Sequence, residues 1–191
     1  MSGFAINIVT HVSSKTLGVL FKNTNLEDPN IYIVFGHGYA GSGKTYLATL
    51  YAIQCLKQQL ISKIVITRPN VAVDDRDIGY LPGDILKKMS PWTKPILDVF
   101  EEYYSTKEIA QMIEENIIEL VPMAYLRGRT FKNSVILLDE AQNTTPSSML
   151  SALTRIGENS KLVIDDFVFD GGGAAKGKLA LKVALGTVKY T

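Results

Sequence analysis

The stretch "GHGYAGSGKTYLAT", Gly36 to Thr49, sets glycines ahead of a lysine and a threonine in the spacing G-x-x-x-x-G-K-[ST], on Gly38, Gly43, Lys44 and Thr45. The chemistry that suits this spacing is a grip on phosphate. Backbone N–H groups can all turn toward a phosphate only where no Cβ stands in the way, which is why the loop is rich in glycine. Lys44 would reach the β- and γ-phosphates of a nucleotide, and the Thr45 hydroxyl would coordinate Mg²⁺. The cofactor-binding set read from the loop is Gly38, Gly41, Ser42, Gly43, Lys44, Thr45 and Tyr46. Such a loop needs an acidic partner at the end of another buried strand to hold the metal's water shell. "VILLDEAQ", Val135 to Gln142, supplies one: Asp139 directly follows four apolar residues. Thr45 and Asp139 are therefore the candidate metal residues. Glu140 is the candidate general base that would orient and activate an attacking water.

These residues need a scaffold, and the pattern of the chain describes one. Short apolar runs alternate with helix-like stretches, the signature of β-α units around a parallel sheet covered on both faces. Five strands are expected, at Ile31–Phe35, Lys63–Thr67, Ile117–Val121, Val135–Leu138 and Lys161–Ile164. A first helix should follow the phosphate loop with Leu47, Leu50, Ile53, Leu56 and Leu60 along one stripe. Pro95–Tyr104 reads as a second helix, and Ser105 with Glu108 fits a capping box opening a third. Pro146 and Gly157 bracket a fourth. Two long irregular connections, Arg68 to Trp92 and Met123 to Ser134, are expected at strand ends, where open α/β sheets bind ligands.

Composition narrows the partners. The 191 residues hold 20 Lys plus Arg against 19 Asp plus Glu, so no global positive field exists to hold a polyanion, and any such site must be a local patch. The single cysteine, Cys55, excludes a disulfide framework and suits a reducing compartment. No basic leader with a long apolar run opens the chain, and no apolar stretch approaches membrane-spanning length. The expectation is a cytoplasmic protein with no membrane partner.

"GYAGSGKT", "GYLPGD", "RGRTF" and "DEAQNTT" together closely resemble the PhoH-like ATPases, a phosphate-starvation-inducible family of bacteria, phages and large viruses. The resemblance is continuous from about Asn30 to Ile164, and "DDRDIG" with "PWTKPILDVFEEYY" looks like the viral or phage branch. It implies an α/β, RecA-like P-loop NTPase core, ATP with Mg²⁺, ring-shaped homo-oligomers, and helicase-like action on RNA or single-stranded nucleic acid. For a viral protein the compartment would be the host cytoplasm. The resemblance also places Gln142 where it would sense the γ-phosphate, and it matches Arg68, Arg127, Arg129 and Arg155 to family arginines. Among these, Arg155 is the candidate arginine finger, so the catalytic set is Lys44, Glu140, Gln142 and Arg155. Arg127 and Arg129 are candidates to clamp phosphate or RNA backbone, with structural ion pairs as the alternative. Trp92, Tyr103 and Tyr104 could stack on bases or simply fill the core.

Past Ile164 the chain departs from the family. Where members continue with a Gly-Asp pair and a glutamine, this chain has Asp165, Asp166 and Phe167, and either aspartate could stand in for the family's. The expected organisation is a P-loop domain over 1–164 and a divergent tail over 165–191. The upstream glutamine by which the family reads adenine has no counterpart between Val9 and Asn30. Two functional readings follow: an ATPase coupled to nucleic acid, and a nucleotide-binding assembly subunit with little turnover because the Gly-Asp pair and glutamine, which in the family couple γ-phosphate loss to movement, are missing. A small-molecule kinase would fit the loop but not "DEAQ".

Overall fold

The computed structural model describes residues 5–10, 26, 28–37, 41–69 and 82–165. They form a six-stranded, wholly parallel sheet with helices on both faces. In chain order the elements are β1 (Ala5–Thr10), β2 (Ile31–His37), α1 (Lys44–Lys57), β3 (Lys63–Thr67), α2 (Pro82–Glu101), α3 (Thr106–Glu114), β4 (Ile118–Leu120), β5 (Ser134–Leu138), α4 (Pro146–Leu153) and β6 (Lys161–Ile164). Across the sheet they lie in the order β1-β2-β6-β5-β3-β4. All five expected strands are present within a residue or two. The sixth, β1, is an edge strand paired in parallel with β2.

Alternation within the strands sends side chains to two cores. Ile33, Phe35, Ile136, Leu138, Leu162 and Ile164 face α4 and a short 3₁₀ turn at Met123–Leu126. Val135, Leu137, Val163, Ile64 and Ile66 face α1, α2 and α3. Strands buried on both faces must be apolar throughout, which explains "IYIVF", "KIVIT" and "SVILL".

Three helical expectations need correction. On α1 the buried residues include Leu47, Ala48, Thr49, Ala52, Ile53 and Cys55, Leu50 and Leu56 pack partly buried against the same core, and Leu60 is 56 % exposed. The helix ends at Lys57, so Leu60 falls beyond the stripe. The small residues Ala48 and Ala52 let α1 lie close on the strands. Helix α2 begins at Pro82, inside the connection expected to be irregular, and stops at Glu101 rather than Tyr104. Its interior prolines remove single backbone donors, but burial of Ile96, Val99 and Phe100 at helical spacing holds the later turns on the sheet. Helix α4 closes at Leu153, short of the bracket set by Gly157. The capping box is present as expected: Ser105 accepts from the Glu108 N–H, and Glu108 accepts from the Ser105 N–H.

Candidate nucleotide site at the carboxyl ends of the strands

The loop after β2 leads straight into α1. Gly41 and Gly43 have φ of +74° and +84°, the left-handed region that residues with a Cβ rarely adopt. Gly43 caps α1 without a side-chain hydrogen bond, and the first turn carries no acidic residue. The first N–H groups of the helix are thus unclaimed by side-chain caps, and the helix dipole places partial positive charge at the same point. Lys44, only 7 % exposed, has its Nζ 3.4 Å from the Ser42 hydroxyl. Gly38, the first glycine of the motif, lies outside the described residues. Tyr46 turns the other way, and its hydroxyl donates to Glu102 at 2.9 Å.

Three further strands deliver their ends to the same place. After β5 comes Asp139, whose N–H donates to the Thr67 carbonyl at 3.1 Å and so ties it to the end of β3. Glu140 follows with φ +55°, a left-handed backbone for a residue other than glycine. Its carboxylate accepts from the Gln142 amide and, at 3.4 Å, from that of Asn143. Arg68, directly after β3, reaches both acids: 3.6 Å to Asp139 and 3.1 Å to Glu140. Behind β6 stands Asp165, 4 % exposed, whose carboxylate accepts a hydrogen bond from the Thr45 hydroxyl. Thr45, Asp139 and Asp165 line one small pocket.

The site is therefore assembled from the ends of β2, β3, β5 and β6, with β6 lying between the strand that enters the loop and the strand that carries Asp139. Among the described residues no three of His, Cys, Asp and Glu gather as a self-sufficient metal cluster. The donors present are a hydroxyl and carboxylates, hard oxygens that fit Mg²⁺, whose remaining positions are ordinarily filled by phosphate and water. Gln142 bonds Glu140 through its NH₂, while its Oε1 is buried with no hydrogen-bond partner. The same holds for the Thr67 hydroxyl. Unsatisfied polar atoms this close to a phosphate loop are acceptors and donors that a ligand or water would use.

The family arginines separate into distinct roles. Arg68 belongs to the site. Arg129 pairs with Glu119 at 2.7 Å and lies over the Phe131 ring at 4.6 Å. Burial alone would raise the Glu119 carboxyl, but its bonds to Arg129 and to Lys63 hold it below the usual range. Arg127 is exposed and reaches the Ser147 hydroxyl at 3.3 Å. Arg155 is not brought to the loop. Its guanidinium donates to the Ser151 and Arg129 carbonyls, at 3.2 and 3.1 Å, and to the Thr154 hydroxyl. Its own carbonyl accepts from Phe131, three residues ahead of β5, so it sits at the amino-terminal edge of the sheet. The five residues of β5 at about 3.3 Å each separate that edge from Asp139. Of the candidate base-stacking residues, Tyr104 packs beside Phe100, and Tyr103 lies under Lys57, 4.6 Å from Nζ to ring centre.

Asp165 is the residue that sequence reasoning weighed and set aside in the tail. Its signal was present: it follows three apolar strand residues, Leu162 to Ile164, much as Asp139 follows Val135 to Leu138. The structure buries it inside the domain. Asp166 and everything after it lie outside the described residues.

A glycine loop feeding a helix, a lysine inside it, and a hydroxyl and an acid meeting one strand apart define a P-loop NTPase. The chain belongs to the PhoH-like protein family, whose model it matches over residues 12–188. Among its relatives are the PhoH-like protein of Bacillus subtilis (strain 168), 45 % identical over 132 residues, and that of Mycobacterium tuberculosis (strain ATCC 25618 / H37Rv), 41 % over 148. Protein PhoH of Escherichia coli (strain K12) is 38 % identical over 135 residues. These alignments take in 69 %, 76 % and 70 % of this chain and 41 %, 42 % and 38 % of the relatives, so the chain spans about two fifths of their length. No helix among the described residues is long and apolar enough to cross a membrane.

Proposed function

We propose that the chain binds ATP with Mg²⁺ and hydrolyses it, with RNA or single-stranded nucleic acid as the partner that stimulates turnover. The observation that carries this reading is the convergence of Lys44, Thr45, Asp139 and Glu140 at the carboxyl ends of β2 and β5, which flank β6 in the sheet. Phosphoryl transfer needs mainly positioning and charge stabilisation. Lys44 and the α1 N-terminus would take the charge of the β- and γ-phosphates. Thr45 and Asp139 would hold the metal, which neutralises the transferring phosphoryl group. Glu140 would orient the water, with Gln142 fixing that carboxylate. Homo-oligomers of ring type fit this reading, because Arg155 could meet a phosphate only on a neighbouring copy. We also assign the chain to the viral-type branch on "DDRDIG" and "PWTKPILDVFEEYY".

The second reading, a nucleotide-binding subunit with little turnover, gains support from Arg68. Its guanidinium ties up Asp139 and Glu140 together, an arrangement that holds both acids back from metal and water.

Phosphate release from Mg·ATP, with and without single-stranded RNA, tests the choice. Lys44→Ala should lose nucleotide binding. Glu140→Gln should bind ATP yet hydrolyse it at least a hundredfold more slowly, as loss of a general base predicts (~10²–10⁴). Tight binding with no release by the wild type would select the subunit reading; turnover unchanged in both variants would end the ATPase assignment.

A further inference from the structure

The geometry points to Asp165 as the residue that positions Thr45 for the metal. A threonine hydroxyl has one proton and two lone pairs, and it can ligate a cation only if the proton is directed elsewhere. In this chain the acceptor of that proton is Asp165, by the hydrogen bond from the Thr45 hydroxyl. The contact joins residues 120 apart in sequence and bridges the start of α1 to the end of β6.

Asp165 is fixed for this task from several sides. Its N–H donates to the Leu138 carbonyl at 2.8 Å, and its carbonyl accepts from Ala141 at 3.1 Å, so its backbone is clamped on both sides of Asp139 and Glu140. Its carboxylate lies over β2, with Oδ1 3.5 Å from where a β-carbon on Gly36 would sit. The side chain is buried, and it shares a pocket with Thr45 and Asp139. With Asp165 accepting the proton, the Thr45 oxygen keeps its lone pairs for a cation. Partners of this kind, behind a ligand rather than on the metal, typically change metal affinity 10- to 100-fold when removed.

This rests on the reading of the loop as a nucleotide site, and the test keeps the two apart. Mn²⁺ serves as the probe, its affinity read by electron paramagnetic resonance with a non-hydrolysable ATP analogue at saturation. Binding of that analogue without metal is measured in parallel. Asp165→Asn should weaken Mn²⁺ at least tenfold and leave metal-free analogue binding within twofold. Thr45→Val should weaken Mn²⁺ likewise, and Asp165→Asn added to Thr45→Val should cost nothing more in Mn²⁺ affinity, since Asp165 acts through the hydroxyl. Thr45→Ser, which keeps the hydroxyl, should restore wild-type Mn²⁺ affinity. Asp165→Ala is the second variant should the amide prevent folding, and thermal melts of both report a purely structural effect. Unchanged Mn²⁺ affinity in the folded Asp165 variant overturns the assignment, as does a full additional loss in the Thr45→Val background. Failure of the wild type to bind the analogue at all would instead remove the nucleotide reading on which it stands.

Discussion

At the scale of the single residue, the left-handed Gly43 carries more than its size suggests. Any side chain at φ +84° costs about 1–2 kcal/mol of backbone strain. No atom of the described residues lies within 4 Å of where its β-carbon would sit, so among them sterics add nothing. Gly43→Ala should therefore lower the melting temperature by a few degrees while abolishing nucleotide binding, because a relaxed loop turns its N–H groups away. Differential scanning fluorimetry and a fluorescent nucleotide titration separate the two effects. Glu119 offers a pH test. Its carboxyl is lowered by Arg129 and Lys63 despite its burial, so its contribution to stability is present above the ordinary carboxylate pKa and is lost as pH falls through the depressed value. Glu119→Gln should cost about 1 kcal/mol at pH 7, given partial solvent screening, and progressively less as pH falls below the ordinary carboxylate range, by urea melts. At this scale the sequence was most readable where chemistry dictates residue type: a phosphate loop has few alternatives, and Asp139 announces itself at the end of an apolar run. Asp165 was less legible because Asp165-Asp166 offers two equal candidates, and only packing against α1 distinguishes them.

Among the elements, legibility followed local signals. The Ser105–Glu108 box marked the start of α3 to the residue, and Ser105→Ala should destabilise the protein by about 1 kcal/mol. Pro146 marked α4 in the same way, with Thr145 accepting from Ser148 as its cap. The first half of α2 was hidden because the helix was read as opening at Pro95, whereas it runs through Pro91 and Pro95 and burial of its later turns holds it together. Strand β1 was missed since an edge strand, with a single neighbour, has less need of a continuous apolar run. Among the described glycines, Gly157 is the most closely packed. A β-carbon there would lie 2.5 Å from the Phe131 carbonyl oxygen, where the segment after α4 bridges to the segment before β5. Gly157→Ala should cost about 2 kcal/mol by overpacking, measured as a shift in urea midpoint without a change in slope.

For the molecule as a whole, strand order was the part that periodicity could not supply, since alternation reveals which face is buried but not which strand lies beside which. That order decides the site, by bringing β2, β6 and β5 together. The opposite edge of the sheet carries its own charge. Lys161, at the start of β6, is buried; its ammonium donates to the Leu26 and Asp28 carbonyls and lies 5.5 Å from the Tyr51 ring centre. Desolvation pulls its pKa down to about 8, with Cys55 and Asp28 opposing the shift. Between that value and the ordinary lysine range the unfolded chain binds the proton more tightly than the folded one, so stability rises with pH. Relative to Lys161→Met, the wild type should gain up to about 1 kcal/mol per pH unit from pH 8 to 9.5, by chemical denaturation.

Glu140 shows what such a site exacts from the fold. A glutamate at φ +55° holds a conformation that glycine enters freely, so the backbone resists the position that the proposed chemistry would require. Activity and stability are then in opposition at a single residue. Glu140→Gly should melt higher than Glu140→Ala by about 1 kcal/mol, though neither keeps the carboxylate. Strain kept at this position is what the proposed water-orienting role of Glu140 would account for.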